Sequence, residues 1–87
     1  MKVRFQSSVY EVIFTEHSKL QMSLRELTES EVLDVIGTGE VKPKTTPGKY
    51  WIYKELLGRK DNLISVSISI EKPHLIVITT MVNWRPQ

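Results

Sequence analysis

Residues 9–14 read VYEVIF, a β-branched and aromatic run that predicts a strand ending before Thr15. From Glu16 the apolar spacing changes. Leu20, Leu24 and Leu27 recur at intervals of three and four, which predicts a helix capped by Thr15 with this leucine row toward the core. Thr28 and Glu31 form the reciprocal pattern in which each side chain satisfies the other's free backbone N–H at a helix start. Val32, Leu33, Val35 and Ile36 then give a second helix a broad apolar face, with Gly37 as its stop.

The C-terminal half predicts three strands, at about 50–57, 63–70 and 75–84, joined by the short breaks GRKDN and EKPH and therefore pairing antiparallel. In LISVSISI, Ile64, Val66, Ile68 and Ile70 fall on one face and Ser65, Ser67 and Ser69 on the other, because successive side chains alternate. The expected architecture is α+β, one domain over residues 1–87 in the order β-α-α-β-β-β. Two short helices cover one face of a mostly antiparallel sheet of about four strands, and the other face is open and lined with small hydroxyls. The segment 37–49, punctuated by glycine and proline, is expected to be a mobile loop.

Composition narrows the function classes. There is no cysteine, which removes disulfides, thiolate metal sites and thiol nucleophiles. No apolar run approaches the roughly 20 residues of a membrane helix, so the expectation is a soluble, cytoplasmic protein without membrane contact. The net charge of +2 and pI near 9.0 suit an RNA or phosphate ligand without demanding one. No paired-histidine zinc spacing, phosphate-binding glycine loop, nucleophile turn or calcium loop is present, so the expected chemistry needs no metal and no cofactor.

Two groups of residues could carry chemistry. His17, Gln21 and Arg25, each four apart, form a slanted polar stripe on the first helix that borders the leucine row, so His17 is expected at the edge of the core and partly shielded. An imidazole there can transfer protons near neutrality and a guanidinium can hold a phosphate; a structural histidine bonded to a neighbouring element fits the same spacing. The second group is basic and aromatic. Lys42, Lys44 and Lys49 with Trp84 and Arg85 could provide the phosphate and stacking contacts of a nucleic-acid groove, although a solvated lysine loop has the same composition. Trp51, Tyr53, Lys54, Thr79 and Thr80 lie on strands beside the serine face, and His74 reads as a turn residue.

Across FTEHSKLQMSLRELTESEVLDVIGTGE the chain resembles the family catalogued as domain of unknown function 4258. His17, Met22, Arg25, Leu27, Thr28, Val32, Gly39 and Glu40 match its pattern, as does VIT at Val77 to Thr79. Ser18, Gln21 and Glu26 depart from it, Gln21 standing where the pattern has an arginine. That family is similar to small toxins of the RelE and BrnT type, in several cases metal-independent ribonucleases. The resemblance implies a RelE-like fold and a toxin-like endoribonuclease of a toxin-antitoxin system, or a diverged relative, with RNA as substrate and a small acidic antitoxin-like protein as partner. His17 would transfer the proton and Arg25 stabilise the phosphate, supported by Thr79, with Tyr53 and Lys54 also on the sheet. The alternative is a non-catalytic module that binds protein or nucleic acid on the open sheet face.

Overall fold

The computed structural model describes residues 1–87. Its elements are β1 (Lys2–Phe5), β2 (Ser8–Phe14), α1 (Glu16–Leu24), α2 (Glu29–Thr38), β3 (Glu40–Pro43), β4 (Lys49–Glu55), β5 (Leu63–Glu71) and β6 (His74–Val82). One six-stranded sheet takes the order β1-β2-β6-β5-β4-β3. The class is α+β, but the expected sheet of about four mostly antiparallel strands in the order β-α-α-β-β-β is corrected here. Two strands are added, and β2 pairs parallel to β6, so the sheet is mixed.

Both added strands lack the usual sequence cues. β1 reaches β2 through the two-residue turn Gln6–Ser7, both at positive φ (49° and 69°), a conformation usually given to Asn and Gly. β3 lies inside the segment expected to be a mobile loop, where its position at the sheet edge accommodates Pro43, which has no N–H to offer a further strand. Segment 37–49 thus comprises the end of α2, an edge strand and a turn that closes onto Lys49.

The helix starts follow their caps. Thr15 accepts from the Ser18 N–H at 3.1 Å, and Thr28 and Glu31 form the reciprocal box, with Glu31 Oε1 2.9 Å from the Thr28 nitrogen. α2 runs past Gly37 to Thr38 and ends at Gly39, where an added Cβ would lie 2.6 Å from the Val35 carbonyl oxygen and 2.7 Å from that of Tyr53. Close backbone approach therefore requires this glycine, at an ordinary φ of −78°.

The sheet curls around its helix-covered face. Phe5 on β1 and Tyr50 on β4 are four strand positions apart, roughly 19 Å on a flat sheet, yet their rings meet edge-on with centroids 5.2 Å apart. Inside this curl Ile52, Ile64, Val66, Ile68, Leu75 and Val77 pack against Val32, Val35 and Ile36 of α2, all at 2% exposure or less. Each such side chain contributes on the order of 1.5–3 kcal/mol by leaving water.

Two expectations about faces are corrected. Leu20 and Leu24 are 60% and 73% exposed, while α1 buries Ser18 and Met22 instead. The serine face is also not open: Ser65, Ser67 and Ser69 are 0%, 1% and 8% exposed. The alternation along β5 holds, but Lys44 from the loop after β3 donates to Ser67 and the Trp84 carbonyl after β6 accepts from Ser65, so the serines are covered while Trp51, Tyr53, Ile76 and Met81 on the same face stay half-buried. No helix is long and apolar enough to cross a membrane.

Candidate functional site

The orientation of α1 follows from what happens where β2 ends. Phe14 is the last β2 residue opposite β6, aligned with Val77, so beyond that point β6 has no strand on this side. Thr15 and Gln21 continue the pairing. The Thr15 N–H donates to the Val77 carbonyl at 3.2 Å, and the Thr15 hydroxyl donates to the Ile78 carbonyl at 3.3 Å. Gln21 Oε1 then accepts the Thr80 N–H at 2.9 Å and the Thr79 hydroxyl. Unpaired backbone groups at a buried edge are costly, and these contacts determine which side of α1 meets the sheet.

The stripe His17, Gln21, Arg25 does not form one site. Gln21 and Thr79 bond to each other, so Gln21 completes the sheet edge. His17 is exposed rather than partly shielded, and its imidazole has no hydrogen-bond partner. Arg25 is the C-cap of α1, eight residues and thus about 12 Å along the axis from His17. Arg25 borders a groove with Glu26, Gly58, Arg59, Lys60 and Asp61, whereas Thr79 faces Gln21.

Arg59, within the break read as a plain turn, pins this corner. Its guanidinium donates to the carbonyls of Arg25 and Glu26, each at 3.0 Å, and to Glu31 at 3.2 Å. Glu31 is consequently held below the usual carboxylate range, first by the Thr28 N–H and then by Arg59, against the opposing effect of burial. This corner joins the β4–β5 connection to the helix junction.

On the outer face, register collects the other group. Lys42, Trp51, Ser67 and Thr79 occupy one cross-strand row over β3, β4, β5 and β6, and Glu40, Tyr53, Ser65 and Met81 occupy the next. An open cleft of about 460 Å³ lies at the β3 end of the first row, lined by Lys42, Pro43, Lys44, Thr45, Trp51, Trp84, Pro86 and Gln87. Lys44 Nζ sits 4.6 Å from the Trp51 ring centroid and donates to Ser67 Oγ. Trp84 packs on Trp51 with centroids 4.7 Å apart and planes tilted by 60°, and its carbonyl accepts from Ser65 Oγ. No acidic side chain lines this cleft. Lys44 forms no ion pair, and its pKa lies below the ordinary lysine value, chiefly because burial disfavours the charged form and secondarily because Lys49 repels it.

A second cavity, of about 320 Å³, is lined by Thr38, Gly39, Glu40, Tyr53, Lys54, Glu55, Leu63 and Arg85. Glu40, opposite Tyr53, pushes the phenol pKa up as a nearby hydrogen-bond acceptor that favours the protonated phenol; burial adds to this and Arg85 opposes it. Lys54 is tied to Asp34 at 3.1 Å and to the Thr38 hydroxyl at 2.7 Å, so it is less available to a ligand than Arg85.

The residues expected to bind a ligand thus separate into two neighbouring cavities. Lys42, Lys44 and Trp84 line the first with Lys49 beside them, and Tyr53, Lys54 and Arg85 line the second. Sequence reasoning did not single out Ser67, Arg59 or Glu40 for these contacts, although Glu40 belonged to the Gly-Glu step of the family pattern. It also read Gln21 as a lost cation. Comparison of the chain with protein-family models, with curated proteins and with solved structures finds no match.

Proposed function

We propose that this protein binds single-stranded RNA in the cation-lined cleft beside Trp51 and Trp84. The observation that carries the reading is the cleft itself: Lys42 and Lys44 in its wall, Lys49 alongside, two tryptophans in contact and no acidic side chain. Backbone phosphates suit the cations, and base stacking on an aromatic side chain contributes about 1–3 kcal/mol per base. A small acidic partner protein would compete for the same cations, in keeping with the antitoxin-like partner that the family resemblance suggests.

Both tryptophans of the chain border this cleft, so intrinsic fluorescence reports on it directly. Titration with a short unstructured RNA should give a saturable change in emission that weakens with salt. Trp84→Ala should lower affinity by about 5- to 150-fold, the equivalent of one stacked base. A flat titration at low salt, or an affinity unchanged by Trp84→Ala, would refute binding at this cleft.

Cleavage of the bound strand is a second reading, favoured by Glu40, Tyr53 and Arg85 around the adjoining cavity. Glu40 would accept the proton of a ribose 2′-hydroxyl as that oxygen attacks the neighbouring phosphorus, and Arg85 would stabilise the charge on the phosphorane; a second proton donor would serve the leaving oxygen. In this geometry the acid–base work of the toxin-type ribonuclease reading moves from His17 to Glu40. Glu40→Gln should then remove RNA turnover while retaining binding, and equal turnover by the variant would reject this assignment.

A further inference from the structure

We propose that Lys44 is a nucleophilic amine that forms an imine with an aldehyde carried beside a phosphate. Of the eight lysines, Lys19 and Lys54 are paired with carboxylates, at 3.5 Å and 3.1 Å, whereas Lys44 is held by a serine hydroxyl against an indole face. These contacts fix the nitrogen at the wall of an open cleft without a counterion, and the depressed pKa enlarges the fraction that carries a free lone pair. Lys42 in the cleft and Lys49 nearby supply the charge that would hold the phosphate.

The step needs no redox partner. The neutral amine adds to the aldehyde carbon, the new C–N bond forming as the carbonyl π bond breaks and the oxygen takes a proton. The nitrogen then loses a proton, the hydroxyl group is protonated and departs as water while the nitrogen lone pair forms the C=N bond, and loss of the remaining N–H proton completes the balance, so that amine and aldehyde give an imine and one water. Two sources offer this chemistry: a small phosphorylated aldehyde, and the ring-opened sugar at an abasic position of a nucleic acid. The inference shares the cleft with the RNA-binding reading but is scored at one atom, so either can fail alone.

The test exposes the full chain separately to pyridoxal 5′-phosphate and to an oligonucleotide containing one abasic site. Borohydride reduces any imine, and peptide mass mapping locates it. Lys44 should be labelled at least tenfold faster than any other lysine in one arm or both, and the labelled arm identifies the source. Lys44→Arg, which keeps the charge, should remove that label without raising another. Labelling spread over the eight lysines, favouring another lysine, or absent in both arms would overturn the proposal. Labelling of Lys44 alongside a flat RNA titration would leave this inference standing and remove the binding one.

Discussion

Helix α1 and the cleft at the β3 end of the sheet both carry polar residues that the sequence marks for chemistry, and the structure uses them in opposite ways. On α1 the central member of the stripe, Gln21, is turned inward to the backbone of β6, separating an exposed His17 from an Arg25 at the far end of the helix. At the cleft, Lys42 and Lys44 share a wall with two tryptophans and form no ion pair. A polar side chain beside an unfinished sheet edge is recruited by the backbone, which lacks water there. Like charges gathered without counterions leave their potential directed at solvent, where an anion can use it.

This contrast can be broken by mutation. Replacing Lys42, Lys44 and Lys49 together by Gln should cost on the order of a hundredfold in RNA affinity at low salt and flatten the logarithmic salt slope by about 2, from three contacts of about 0.7 each. Thermal stability should change little, so a large drop in Tm would assign the lysines to the fold. Gln21→Ala should show the reverse pattern. It leaves the buried Thr80 N–H unpaired, should destabilise by about 1–3 kcal/mol in denaturant unfolding, and should leave RNA affinity intact.

A smaller effect is expected at the helix junction. Glu31→Gln keeps an acceptor for the Thr28 N–H but removes the charge beside Arg59 and at the start of α2, and should destabilise by about 0.3–1 kcal/mol at neutral pH. Since folding depresses the Glu31 pKa, its contribution is present above the unfolded carboxylate value and disappears as pH falls through the folded one. Unfolding curves of wild type and variant should therefore converge in acid, and a constant gap down to low pH would exclude the ionised carboxylate as the source. The smallest effect belongs to His17→Ala: within about 0.5 kcal/mol in stability, with RNA binding unaltered. Loss of RNA turnover on that substitution would return the catalytic role to α1.

Legibility in the sequence followed the range of the interaction. Thr15 and Thr28 could be read as caps because a cap involves residues three apart, and β5 because alternation is local. The strand β1 escaped notice because Gln6 and Ser7 turn without glycine or asparagine, and β3 because Pro43 counts against a strand except at an edge. Leucine spacing on α1 showed a stripe without saying which side is buried. That was settled 58 residues away, at Thr79. The cleft was legible as residue types, but Trp51 and Trp84 meet only after the β4–β5 and β5–β6 turns fold back.

By itself, the sequence determined the two capped helices, the C-terminal meander, the absence of thiol chemistry and a basic, aromatic set of binding candidates. These follow from short-range hydrogen bonding, from side-chain alternation and from composition, none of which needs distant partners. Tertiary structure decided which face of α1 is buried, that the serine face is covered, and that the candidates divide between two adjoining cavities. Those outcomes depend on where β2 stops beside β6 and on the curl of the sheet, which bring together groups far apart in the chain.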